Sequence, residues 1–241
     1  MRIPRIYTTQ SLAKNSTVHL DAAAAHYVAN VLRMKPDRPI VLFNGEGGEY
    51  HGRLAVAGKK LVSVKVLSYI DKSLESPLKI QLGVCLIKSD RMDWLLQKAT
   101  ELGVSSVTPL FSEYSDIKLP ANRYEKKLKH WRQVMTNACQ QSGRTLLPTI
   151  GEPAELSVWL QQVDSDFNCI LHPHNAANLN TNADVGSITL LVGPEGGFAE
   201  SEITLAHKYK FLSLSLGPRI LRAETAPLAA LALLQYHFGD F

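Results

Sequence analysis

Two runs near the C-terminus hold the residue types from which a reaction site could be built. One is Leu216-Gly217-Pro218-Arg219-Ile220-Leu221-Arg222-Ala223-Glu224-Thr225, and the other is Leu191-Val192-Gly193-Pro194-Glu195-Gly196-Gly197-Phe198. Arg219 and Arg222 are planar, permanently charged forks of N–H donors, suited to carbonyl, carboxylate or phosphate oxygens. A carboxylate beside them can take a proton from a substrate or be spent in an ion pair, and for Glu195 with Arg219 or Glu224 with Arg222 both readings are open. Each run closes an apolar, β-like stretch with a Gly/Pro turn and then opens a helix. Open α/β sheets bind small molecules at such strand ends.

Glycine-rich loops that lead into helices often cradle phosphate with free backbone N–H groups. The spacing here does not suit phosphate, because neither Gly-x-x-x-x-Gly-Lys-Ser/Thr nor Gly-x-Gly-x-x-Gly can be read through residues 193–198. Glu195 would also repel a polyphosphate. Glycines outside those patterns still bring backbone amides and carbonyls close to an uncharged ring. A cofactor with an adenine edge, a carboxylate and no phosphate fits, and S-adenosylmethionine is such a molecule. His172 and His174 flank Pro173 nearby, but no cysteine or acidic cluster accompanies them, so no metal is expected.

Taken together, the two runs resemble the signature of bacterial 16S ribosomal RNA (uracil-N3)-methyltransferases, members of the SPOUT superfamily. Gln97-Lys98-Ala99-Thr100-Glu101-Leu102-Gly103-Val104 and Met1-Arg2-Ile3-Pro4-Arg5, with His26 to Met34 behind it, agree with the same family, so the likeness extends along nearly the whole chain. The resemblance implies a SPOUT-type α/β fold: a trefoil-knotted, mostly parallel sheet with helices on both faces, preceded by a small PUA-like, RNA-binding β-barrel domain. It implies S-adenosylmethionine held by Leu171, Gly193, Glu195, Gly196, Gly197, Leu216, Gly217, Ile220 and Leu221, and a homodimer acting on 16S ribosomal RNA within the small ribosomal subunit. Uridine N3 carries a weakly acidic proton between two carbonyls. Such an enzyme must align N3, remove that proton and stabilise charge spreading onto O2 and O4. Arg219 and Arg222 suit uracil oxygens or a flanking phosphate, and Glu224 is the candidate base, weakened if an arginine pairs with it. Where the family shows Ala-x-Glu-Gln-Ser/Cys-x-Arg, this chain has Ala138-Cys139-Gln140-Gln141-Ser142-Gly143-Arg144, so no carboxylate role carries over to Gln140.

An RNA partner calls for cations. Net charge is only +4, but Lys118, Arg123, Lys126, Lys127, Lys129, Arg132 and Arg144 crowd one stretch against Glu125 alone, with Tyr124 and Trp131 among them. Basic residues with aromatic faces suit phosphate contact and base stacking. Arg2, Arg5 and Arg33, with Lys35 and Arg38, make a second basic set in the N-terminal domain. The expected RNA-contact residues are therefore Arg2, Arg5, Arg33, Lys126, Lys127, Arg132 and Arg144.

The elements that must position these residues can be read from pattern. Over residues 1–72, Pro39–Phe43, Tyr50–Val56 and Leu61–Val66 read as strands around a glycine-rich turn. A polar stretch ending in Pro77 marks the boundary of a second domain, residues 73–241. There, strands at Ile80–Ile87, Val104–Phe111, Phe167–Leu171, Ile188–Val192 and Phe211–Leu216 alternate with helices, one capped by Ser89 or Asp90 and one at Asn122–Ser142. The last helix, Thr225–Phe238, is apolar nearly all round and must be buried in the core or against another subunit. Its longest apolar run, Ala226–Leu234, has nine residues against the roughly 20 that a bilayer requires. With no leader-like start and three widely spaced cysteines, the reading is cytoplasmic, off the membrane, with Cys85, Cys139 and Cys169 buried and reduced.

Overall fold

The computed structural model describes residues 3–58, 61–117, 119–172 and 185–241. The chain divides into two units, one of residues 1–75 and 139–147, the other of residues 76–138 and 148–241. The boundary expected at residue 72 thus lies three residues short of the first unit's main segment. The return of Cys139–Leu147 to that unit has no signal in the local pattern.

In the first unit, β1 (Arg5–Tyr7), β2 (Thr17–His19), α1 (Ala22–His26), β3 (Pro39–Phe43), β4 (Glu49–Ala57) and β5 (Val62–Ile70) follow in order. Five strands make one sheet, β1-β3-β4-β5-β2, so the PUA-like domain carries β1 and β2 at its two edges. β1 runs parallel to β3 and the other pairs are antiparallel. Two register shifts between β4 and β5 kink the sheet, as bulges do. Asp21 starts α1 by accepting the N–H groups of Ala23 and Ala24, both at 2.9 Å. Ile6, Val28, Ile40, Leu42, Leu54, Val64 and Val66 fill the interior, each contributing about 1.5–3 kcal/mol by leaving water.

A buried polar cluster ties the returning segment into this unit. Arg5 binds Glu49 at 2.7 Å and donates to the carbonyls of Cys139 (2.8 Å), Gln140 (3.2 Å) and Arg144 (3.0 Å). Of these, the Gln140 carbonyl is one that the end of a helix leaves without a partner, while that of Cys139 also accepts the Gly143 N–H at 3.1 Å. Arg144 donates through Nε and Nη2 to Glu75, at 2.9 and 2.6 Å. Gln140 Oε1 accepts the Tyr7 N–H at 2.8 Å, a contact for which no charge is required. Burial pushes the Glu49 carboxyl up, but Arg5 and Lys72 beside it outweigh that and hold it below the ordinary carboxylate range.

The second unit comprises β6 (Lys79–Cys85), α2 (Ser89–Glu101), β7 (Ser106–Phe111), α3 (Tyr124–Ser142), β8 (Thr149–Ile150), β9 (Ala154–Glu155), α4 (Leu156–Trp159), β10 (Phe167–Leu171), β11 (Ser187–Val192), α5 (Glu200–Lys208), β12 (Leu212–Leu214) and α6 (Thr225–Phe238), less the end of α3. Its sheet has the order β12-β10-β11-β6-β7-β8, with β9 also on β7, and every pairing is parallel. Alternate residues face opposite sides. Leu82, Val84, Leu190, Val192 and Cys169 meet α2, α3 and α6, while Cys85, Leu191 and Ile170 meet α4 and α5. Helices on both faces explain why these strands read as continuous apolar runs. A Cβ at Gly83 would enter the Trp159 indole, so glycine lets α4 approach.

Ser89 is the first residue of α2 and not its cap; Lys88 precedes it and supplies no side-chain bond. The stop at Gly103 is as expected. Its φ is +85°, its N–H meets Thr100 O and the Val104 N–H meets Ala99 O, the paired bonds of a glycine C-cap. The three cysteines are buried and free, and burial pushes their thiols up to about 12, 11 and 12 for Cys85, Cys139 and Cys169. Among the described residues no helix is long and apolar enough to cross a membrane, and no group of three His, Cys, Asp or Glu side chains could hold a metal ion.

Candidate active site

The neighbouring strands β12, β10 and β11 all end at one edge of the parallel sheet, and there the chain opens a cleft of about 520 Å³. This is a size that encloses a small molecule. β10 supplies Leu171 and then His172. β11 supplies Val192 and the loop Gly193–Phe198. β12 supplies Leu214 and the loop through Ser215, Leu216, Gly217, Arg219, Ile220, Leu221 and Arg222. Every residue expected to hold a cofactor lines this one cleft, and Arg219 and Arg222 join them.

The backbone of both loops is largely unspent. Within residues 193–198 the one backbone hydrogen bond among the described residues is Gly197 N–H to Pro194 O, at 3.0 Å. Gly217 has φ +92°, a conformation that favours glycine. Gly193 and Gly196 are glycines for packing: a Cβ at Gly193 would press on the Phe198 ring at 3.1 Å, and one at Gly196 on Tyr114 at 3.0 Å. The loop therefore lies tight against its own aromatic neighbours.

Charge in the cleft is arranged differently from the expected pairing. Neither Glu195–Arg219 nor Glu224–Arg222 forms. Both carboxylates turn to Arg91 on the first turn of α2, which sits 3.3 Å from Glu195 Oε1 and 3.8 Å from Glu224 Oε1. Glu224 Oε2 is buried with no hydrogen-bond partner, at the N-terminus of α6 where the helix dipole favours negative charge. Arg219 and Arg222 are exposed and make no ion pair or side-chain hydrogen bond among the described residues. Ile220 between them is 98% exposed. The cleft thus offers apolar walls, free backbone polar groups and two unspent guanidinium groups, while the idle oxygen of Glu224 is buried next to the lining residues Arg222 and Ala223 in sequence and not on the cleft wall.

A sequence profile of the RNA methyltransferase domain matches residues 74–235, and one of the RNA methyltransferase PUA domain matches residues 20–67. The ribosomal RNA small subunit methyltransferase E of Buchnera aphidicola (subspecies Schizaphis graminum) is 35% identical, over 99% of this chain and 98% of its own. The chain belongs to that methyltransferase E family. Solved structures agree. The methyltransferase E of Neisseria gonorrhoeae bound to S-adenosylmethionine has a TM-score of 0.94 at 37% identity, and a protein from Legionella pneumophila in complex with the same cofactor has 0.96 at 35%, each over the full length of both chains.

In this chain the cations expected at RNA fall into two groups. Lys126 and Arg132 are exposed on α3, with Lys129 beside them, and Arg33 is exposed in the PUA-like unit. Lys127 is half-buried; its Nζ donates to Ser89 Oγ at 2.6 Å and lies 5.9 Å from the Trp131 ring centroid. Arg144 is buried and Arg5 half-buried, and both are engaged inside the first unit by the carboxylates and carbonyls described above. Trp131 is corrected as a stacking surface, being 3% exposed in the core beside Leu128 and Met135. Arg2, Lys118, Pro173 and His174 lie outside the described residues. Arg91 was not anticipated from sequence, because it stands 104 residues from Glu195 and only the fold joins them.

Proposed function

We propose that this chain transfers the methyl group of S-adenosylmethionine to N3 of a uridine in 16S ribosomal RNA of the small ribosomal subunit. The observation that carries the reading is the cleft at β12, β10 and β11, where the whole inferred cofactor set and two unspent arginines meet. The residues fit the cofactor: Leu171, Val192, Leu216 and Leu221 offer walls to a flat uncharged ring, free backbone groups flank them, and no phosphate-binding lysine lines the space. When bound, the cofactor supplies an electrophilic methyl group. Arg219 and Arg222 donate to the uracil carbonyls or a flanking phosphate, stabilising the charge that appears as the N3 proton leaves. Glu224, adjoining the cleft residues Arg222 and Ala223, is the carboxylate assigned to accept that proton.

Cations on α3 and Arg33 contact the RNA backbone in this reading. The protein works in the cytoplasm as a homodimer, a state supported by apolar side chains left in solvent on α6, Leu233 at 42% and Tyr236 at 68%. The trefoil knot belongs to the same reading.

Labelled S-adenosylmethionine incubated with small subunits lacking the modification, followed by mass-spectrometric mapping of nucleosides, tests it. Label at uridine N3 is the expected result. Label on another atom would move the target, and subunit binding without label would remove the activity.

A further inference from the structure

Arg91 stands where three elements meet. It projects from the first turn of α2, a helix fixed by the fully buried Met92, Leu95 and Leu96, so its base is rigid. Its Nη1 reaches Glu195 in the Gly193–Phe198 loop, and its Nε approaches Glu224 at the start of α6. Among the described residues no hydrogen bond or ion pair joins the Gly193–Phe198 loop directly to residues 215–226, so the guanidinium is their polar link. The planar fork lets two different nitrogens, held apart in fixed geometry, each face one carboxylate. The second oxygen of Glu224 is buried and unpaired, on the residue that follows the cleft residues Arg222 and Ala223, so where this carboxylate stands depends on how its segment is held.

We propose that Arg91 is the positioning residue of this site. Its guanidinium holds the cofactor loop and the Glu224 carboxylate in register, so that binding the cofactor and aligning the proton acceptor become one event. The inference rests on the methyltransferase reading for its kinetic consequence but not for its structural one. Arg91 touches neither the methyl group nor N3 in this scheme; it acts through Glu195 and Glu224.

The structural consequence is tested first, in the ligand-free full chain, by amide hydrogen exchange of Arg91→Gln against wild type. Exchange should quicken roughly two- to fivefold at the hydrogen-bonded amides of both segments, Gly197 in 193–198 and Thr225 and Ala226 in 222–226, the range expected of a partly exposed ion pair, while α2 stays protected. Unchanged exchange in either segment overturns the proposal, whether or not the protein methylates anything. Kinetics follow. Glu195→Gln should raise KM for S-adenosylmethionine, Glu224→Gln should lower kcat, and Arg91→Gln should do both, with kcat down on the order of 10- to 100-fold as misplacement by about 1 Å allows. The double variant R91Q/E224Q should have a kcat no lower than E224Q alone, because Arg91 acts through that carboxylate. Arg91→Lys should recover one partner and fall between. A change confined to KM for RNA would make Arg91 a phosphate contact and sink the proposal. Wild type inert toward small subunits would instead remove the methyltransferase reading, leaving the exchange result to decide on Arg91.

Discussion

Arg219 and Arg222 stand apart from Arg5, Arg91 and Arg144 in having no carboxylate of the protein to hold. A guanidinium left unpaired beside a concave site is available to a ligand, and its removal disturbs little else. Arg222→Ala should lower kcat/KM on small subunits by on the order of 10²- to 10³-fold, the cost of losing one donor aimed at developing charge. Its melting temperature should stay within about 1–2 °C of wild type, since an exposed, unpartnered side chain contributes little to stability. Near-normal turnover in a folded R222A would take that residue out of the mechanism. The glycine and arginine motifs of the cleft could be read in sequence because they are contiguous runs. Charge pairing could not be read this way: Glu224 has Arg222 two residues away and Glu195 has Arg219 in the neighbouring motif, yet both turn to Arg91 from another helix. The engagement of Arg5 and Arg144 inside the first unit was hidden for the same reason, because their carboxylate partners, Glu49 and Glu75, are distant in sequence.

At the level of elements, α3 presents two chemically distinct faces. Leu128, Trp131 and Met135 are buried, while Lys126, Lys129 and Arg132 face solvent. The three-and-four spacing of the first set is itself a core signal, and it explains why an indole among lysines is packed and not free to stack. Lys126→Ala with Lys129→Ala should weaken RNA binding most at low salt and flatten the plot of log affinity against log salt by about one to two units of slope, because each phosphate contact releases counterions. An unchanged slope would clear that face of RNA. Periodicity located β3, β10 and α6 with their observed bounds, since each carries a clear apolar pattern between turn residues. It could not show that β12 lies beside β10 and not β11, because strand order is set by pairings that no local window contains.

On the scale of the whole molecule, the apolar α6 is only partly covered: Ala230, Leu231 and Leu234 are buried while Leu233 and Tyr236 remain in water. Leu233→Glu with Tyr236→Glu should convert the proposed homodimer to a species of one chain mass in light scattering, with the fold retained by circular dichroism. A wild type already at one chain mass would dispose of the dimer. The division of the chain has a consequence for biosynthesis. The first unit draws on residues 139–147, which supply the carbonyl acceptors of Arg5 and the partner of Glu75. A ribosome adding about 5–20 residues per second needs roughly 4–14 s to pass from residue 75 to residue 147. Throughout that interval the N-terminal sheet waits with Arg5 lacking those acceptors. This domain, although first in sequence, is therefore completed only after more than half of the protein has been synthesised.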